Sequence, residues 1–157
     1  MILSAGLPMA PKKNSKIPID NHIIRYIPPS RLRKDENDKV IGVLGVAFAL
    51  KPNEKYLSAT WLEYFPDKVD AVIAIRNSNL SVKPKSGFAI GKVDSIQSAC
   101  LYSSATRVFI VYDPTILPKP NLGHVAVKNF PSDDTGLLEL LAAEAWADGL
   151  ILNSDIP

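Results

Sequence analysis

Cys100 is the only cysteine in this chain. An intrachain disulfide is therefore excluded, and no zinc site can be assembled from the chain's own thiolates. Such sparing use of cysteine suits a reducing compartment, so a cytoplasmic location is expected. Long apolar runs are missing as well. The longest candidate, Val40 to Leu50, is interrupted by Gly42 and Gly45 and falls far short of the ~20 residues that a membrane helix needs. No charge of one sign dominates, since 18 Lys and Arg face 16 Asp and Glu for a net charge of +2. That balance names no polyanionic partner by itself. The phosphate-binding P-loop, the Rossmann glycine pattern, the Gly-x-Ser-x-Gly elbow, the His-Glu-x-x-His helix and the EF-hand loop are all absent. No metal ligand set and no cofactor is expected from such a sequence. The opening Met1 to Leu7 is mildly apolar, with no basic residue before it and Lys12, Lys13 and Lys16 after it, the reverse of a secretory signal.

What is present is ordinary for a globular domain. At 157 residues, with 46% hydrophobic and 22% charged residues, the chain has the length and composition of a single core-forming unit. Residues 1–21 carry three prolines and scattered lysines without any period. They are read as a flexible tail, loose or extended over a single domain of residues 22–157. The fold class expected is α+β: a twisted sheet, mostly antiparallel or mixed, with a C-terminal helix and one shorter helix packed on it.

His22 to Ile27 reads as a strand ended by Pro28 and Pro29, which cannot donate to a ladder. From Arg31 to Lys39 eight of nine positions are charged or amide-bearing, which predicts a solvated loop. Val40 to Leu50 fits either a buried strand with a bulge or a small packed loop. Tyr56 to Leu62 reads as a strand after the turn chemistry of Lys51 to Glu54. Val69, Val72, Ile73 and Arg76 then recur at helical spacing behind Pro66. Phe88 to Leu101 shows a broken alternation consistent with one long bulged strand. Arg107 to Tyr112 is apolar after its first residue, which predicts a central strand buried on both faces, and Leu122 to Val127 a strand beside it. The last helix is expected from about Asp133 to Asp148, with Ser132 as N-cap and Gly149 as the C-terminal glycine.

Candidate chemistry centres on His124 with Asp113. Strand alternation gives His124 a face with Leu122, Ala126 and Lys128, opposite to Val125 and Val127. If the two strands are antiparallel neighbours, the Asp113 carboxylate comes near the imidazole, orients it and stabilises its protonated form. The pair then serves as catalytic acid and base, with Arg25 or Lys128 holding a phosphate. A second run, Ser58, Thr60, Trp61, Glu63 and Tyr64, alternates hydroxyls, an indole and a carboxylate, which can line a pocket. Binding roles are accordingly assigned to Arg25, Ser58, Trp61, Glu63 and Lys128. The order of a basic residue on one strand and a Ser/Thr strand next is similar to ADP-ribosyltransferase-like sites, with Arg25 and Ser58 in those places. Glu63 departs from that pattern by lying on the Ser58 strand rather than on a later one. Arg31, Arg33 and Lys34, with Lys83, Lys85 and Lys92, are read as solvated surface, because Asp35, Glu36 and Asp38 follow the first group.

Ala47-Phe48-Ala49-Leu50-Lys51-Pro52-Asn53-Glu54 with Leu57-Ser58-Ala59-Thr60-Trp61-Leu62-Glu63-Tyr64-Phe65, followed by Asp113-Pro114 and Gly123-His124, resembles a group of small uncharacterised bacterial proteins. The resemblance spans about two-thirds of the chain and implies no activity. The apolar Val40 to Val46 stretch departs from the polar approach of that group. Two functions stand open. One is a small accessory protein binding a protein partner. The other is a small enzyme acting on a nucleotide or RNA, ADP-ribosyltransferase-like or nuclease-like, with a His-centred site. Neither an oligomeric state nor a membrane association is implied.

Overall fold

In the computed structural model, which describes residues 11–78, 81–116, 118–131 and 134–157, the period-2 runs of the sequence become neighbours in one sheet. Strand β1 (His22–Ile27) is followed by a small hairpin of β2 (Leu32–Lys34) and β3 (Val40–Val43), then by β4 (Tyr56–Trp61). Helix α1 (Lys68–Ser78), β5 (Gly87–Lys92), helix α2 (Val93–Ser104), β6 (Phe109–Tyr112), β7 (His124–Lys128), helix α3 (Thr135–Glu144) and β8 (Gly149–Leu152) complete the chain. The order across the sheet is β6-β7-β4-β1-β5-β8, and every neighbouring pair is antiparallel. The α+β class expected from the sequence is therefore the observed one, with three helices rather than two. No helix among the described residues is long and apolar enough to cross a membrane.

The alternation within β1 divides the core into two layers. Ile23 and Ile27 join Leu57, Ala59, Ile110, Val125 and Val127 on the face covered by α2 and α3. Ile24 joins Phe88 and Ile90 on the other face, under Ala71, Val72 and Ile75 of α1. On that face α1 also contacts β4, and its Ile75 and Ser78 border a cleft that reaches Thr60 of β4 and His124 of β7.

Several expectations are corrected. Phe88 to Leu101 is not one bulged strand: β5 passes straight into α2, whose buried Val93, Ile96 and Cys100 recur at helical spacing. The apolar residues of the two elements run together in sequence, and the one glycine at their boundary, Gly91, lies within β5, which hid the change of period. Arg107 to Tyr112 holds β6, buried at Ile110, Val111 and Tyr112, yet β6 is the outermost strand and not a central one. Its burial comes from an unexpected quarter. Asn14 N donates to Tyr112 O at 2.7 Å, Tyr112 N to Ser15 O at 2.8 Å and Ile17 N to Ile110 O at 3.0 Å, and Ile17 is 3% exposed. The segment read as a tail thus belongs to the fold from Asn14 onward, while Met1 to Ala10 lie outside the described residues.

Residues 31–39 are not simply a loop, since Leu32 is buried and β2 pairs with β3 around an Asp35 turn. The Val40 to Leu50 stretch is half of each alternative, strand to Val43 and then a 3-10 turn over Gly45–Phe48. The last helix is shorter than expected. Asp134 caps it by accepting from Leu137 N at 3.1 Å, Ser132 and Asp133 lie outside the described residues, and the helix ends at Glu144. Gly149 opens β8 opposite Ile90 and caps no helix.

Arg76, late in α1, fastens the chain beyond β8. Its Nε donates to Asn153 Oδ1 at 3.0 Å, Nη1 to Pro157 O at 2.9 Å, and Nη2 to Asn153 O at 3.0 Å and Ile156 O at 2.9 Å. Charged donors to partly buried acceptors are worth about 1.5–3 kcal/mol. Arg76→Ala is expected to lower the urea-unfolding free energy by about 2 kcal/mol; an unchanged midpoint would show the segment to be dispensable.

Candidate functional site

On the face that carries Ile24, beside α1, β4 and β7 place Thr60 opposite His124, and β1 places Ile24 opposite Thr60. Residues directly opposite in a ladder point to one face, so the three side chains form a single rung. This rung lies in a cleft of about 810 Å³, within the roughly 300–1,000 Å³ range of small-molecule sites.

Beyond that rung, β1 and β4 part. Their ladder consists of Ile23↔Trp61 and Ile24↔Thr60, whereas β1 pairs with β5 along its whole length. Arg25 reaches into the resulting gap. Its Nη1 donates to Ser58 O at 2.7 Å and its Nε to Ala47 O at 3.1 Å. No carboxylate among the described residues lies within ion-pair distance of it. Burial lowers the guanidinium pKa from 12.5 to about 10, only partly offset by the charge of Glu54, so it is still cationic at neutral pH. Arg31, Lys51, Lys83 and Lys119 also line the cleft, against a single carboxylate among the described residues, Glu54.

His124 is positioned by the antiparallel return from β6 to β7. Its Nδ1 lies 2.7 Å from Asp113 O and 3.5 Å from Asp113 Oδ2. A carbonyl only accepts, so Nδ1 carries the proton in the neutral ring and Nε2 carries the lone pair. Nε2 has no hydrogen-bond partner among the described residues. The Asp113 carboxylate in turn accepts from Tyr56 OH at 3.2 Å and lies 3.7 Å from Lys13 Nζ. Burial, together with the charge and hydrogen bond of Asp113, raises the Tyr56 phenol. Asn121, 5% exposed, ties the loop to the rung: Nδ2 donates to Thr60 Oγ1 at 2.9 Å and Oδ1 accepts from Gly123 N at 3.1 Å.

Arg25, Ser58 and His124 therefore line one cleft, with Asp113 beside His124. Trp61, Glu63 and Lys128 are not. Trp61 follows Leu57 and Ala59 to the opposite face, where its Nε1 donates to Asn21 Oδ1 at 2.8 Å and its ring meets Tyr112 edge-on at 5.8 Å. Lys128 shares the His124 face but stands four residues, about 13 Å, along the strand. Glu63 belongs to a separate cluster that sequence reading missed. His22 Nδ1 meets Glu63 Oε2 at 2.6 Å, His22 Nε2 meets Asp148 Oδ2 at 3.2 Å, and His22 N donates to Glu63 Oε1 at 2.7 Å. The cluster clamps the start of β1 to the turn after β4 and the approach to β8, and all three side chains are committed to one another. Thr60's rung, Asn121, Lys119 and Glu54 were also missed as a set, because they come from separate loops that no spacing links.

No family model matches this chain, and no curated protein or solved structure is found to be similar to it. Function is therefore argued from the cleft alone. Among the described residues no group of His, Cys, Asp and Glu is arranged to hold a metal ion. Cys100 is buried, and that burial pushes its thiol up to about 12, which leaves it inert as a nucleophile at neutral pH.

Proposed function

We propose that this chain is a small enzyme acting on a nucleotide or an RNA, with His124 as its acid/base residue. The observation that carries the reading is the His124 imidazole, pinned at Nδ1 by the Asp113 carbonyl with Nε2 unpartnered, on the wall of a cleft with cationic lining. A neutral ring held this way takes a proton at Nε2 from a water or a ligand hydroxyl and returns it to the leaving group. Asp113, itself held by Tyr56, stabilises the imidazolium between those steps. Thr60 and Asn121 fix the strand rung on which the ring stands. The cationic side chains favour a phosphate-bearing ligand over a neutral one.

A protein-partner role has less support. Within Val40 to Leu50 only Ile41 and Val46 are exposed, and partner surfaces call for a contiguous apolar area of several hundred Å². The test is turnover of a panel of nucleoside phosphates, dinucleotides and short RNAs, followed by chromatography of the products. His124→Gln, folded as judged by circular dichroism, is expected to lose about 10²–10⁴-fold in rate. Full activity in that variant, or no turnover of any member of the panel by the unaltered chain, would remove the reading.

A further inference from the structure

The inner end of the cleft has a chemistry of its own, independent of His124. Where β1 and β4 part, the backbone of β4 loses its partner strand. Trp61 N donates to Gly123 O, on the β7 side. Backbone groups alternate sides along a strand, so Ala59 and Leu57 also face β7 while Ser58 and Tyr56 face the gap. Ser58 O does so, because it accepts from Arg25. The N–H and C=O of one residue point to the same side of an antiparallel ladder, so Ser58 N–H is directed into the gap too, past the last β1–β4 pair.

Arg25 brings an uncompensated charge to the same place. Its fork offers five N–H donors; Nε and Nη1 are engaged by neutral carbonyls, and Nη2 makes no hydrogen bond among the described residues. A desolvated cation is costly unless an anion faces it, and Glu54, the carboxylate lining the cleft, is turned to the Lys51 backbone N–H at 2.8 Å. The gap thus presents a planar guanidinium edge and a backbone N–H, the donor set that phosphate oxygens take. Ala47, which lines the cleft, holds Arg25 through its carbonyl, and the next residue, Phe48, is fully buried in the core.

We propose that Arg25 and the Ser58 N–H form a subsite for a terminal phosphate, so that the ligand is a nucleotide or an oligonucleotide end rather than the interior of a strand. A phosphodiester inside a strand needs two exits for its flanking nucleotides, whereas Arg25, tied through Nε to Ala47 O and through Nη1 to Ser58 O, offers one free edge. A terminal phosphate needs one. With its phosphate on Arg25, the ligand extends across the Ile24–Thr60–His124 rung, where the His124 backbone stands two strand spacings, about 10 Å, from that of Ile24. This deepens the nucleotide reading given above and rests on it for the role of His124 only.

The experiment is calorimetric titration of the full chain with inorganic phosphate, adenosine 5′-monophosphate, and the dinucleoside monophosphate ApA, which carries an internal phosphodiester and no terminal phosphate. Adenosine 5′-monophosphate and inorganic phosphate are expected to bind, ApA at least tenfold more weakly than the monophosphate. Arg25→Gln should lose tenfold or more in affinity for the monophosphate and for inorganic phosphate alike. In parallel, adenosine 5′-monophosphate added to ¹⁵N-labelled chain should move the Ser58 amide resonance, a readout that stands even if the Arg25 variant does not fold. Equal affinity for ApA, unchanged affinity in folded Arg25→Gln, an unmoved Ser58 amide or no binding of any phosphate would each overturn the subsite. Loss of the enzymatic reading alone would look different: the monophosphate would bind through Arg25, with no turnover or with turnover indifferent to His124.

Discussion

Gly45→Ala is expected to be among the most damaging single-methyl changes in the chain, lowering stability by about 3 kcal/mol, the upper part of the usual overpacking range. A Cβ at Gly45 would stand 2.5 Å from Glu139 N, 2.6 Å from Leu138 C and 2.8 Å from Glu139 Cα. All three are backbone atoms of α3, so no rotamer change relieves the overlap; the turn and the helix must separate. Separation also breaks the bond from Gly45 N to Glu139 Oε1, 2.8 Å long, and disturbs Glu139's contact with Arg33 at 2.6 Å. Gly42→Ala supplies the contrast. Its Cβ would meet only Arg33 Cβ at 4.0 Å, so it should change stability by less than about 1 kcal/mol, with a slight gain from a stiffer unfolded chain. Urea-unfolding midpoints of the two variants decide the matter; equal midpoints would mean that α3 does not rest on the turn.

Phe48→Ala should cost about 3–5 kcal/mol, as deletion of a fully buried aromatic ring does. Phe48 is 0% exposed and stacks on Trp146 with ring centroids 4.7 Å apart and planes 19° from parallel. The loss would leave a cavity in the core and one face of Trp146 bare. Trp146 Nε1 is already a buried donor without an acceptor, so water entering the cavity would offer it a partner and recover part of the loss. The measurements are the unfolding free energy and the indole emission, which should move to longer wavelength as Trp146 becomes wetter. A stable variant with unshifted emission would contradict the packing described.

How far the sequence foretold all this depends on whether neighbouring residues or distant ones decide each feature. β1, β4 and β7 were legible because their boundaries are local: Pro28 and Pro29 stop one, the Lys51 to Glu54 turn starts the next, and Gly123 precedes the third. The junction of β5 and α2 was not legible, because Phe88, Ile90, Val93 and Ile96 are apolar for different reasons, the first two facing α1 or its surroundings and the latter two facing α3. β6 looked central because apolar residues on both faces report burial, not rank in the sheet. β8 was not legible because its first residue, Gly149, was read as the end of the helix, and the three apolar residues after it are too few to show a period. At the site, His124 and Asp113 are neighbours because an antiparallel return brings the end of one strand beside the start of the next, but the Asp113 carbonyl, not the expected carboxylate, holds the ring. Arg25 meets Ser58 through a carbonyl, a contact that no residue type advertises, and Trp61 was lost to the opposite face by one step of the same alternation that put Thr60 beside His124.

Asn14 to Ile17, lying along β6, has a consequence for the protein's behaviour among other copies of itself. An outer strand with open N–H and C=O groups is a template on which another chain can add a strand, the usual beginning of sheet-to-sheet aggregation. Here the chain fills that template with its own residues, and the segment that does so contains Lys16 and is flanked by Lys12, Lys13 and Pro18, charges and a ring that discourage further addition. A stretch with no periodicity and little apolar content thus acts as a guard, keeping the most β-prone segment of the molecule from recruiting its neighbours.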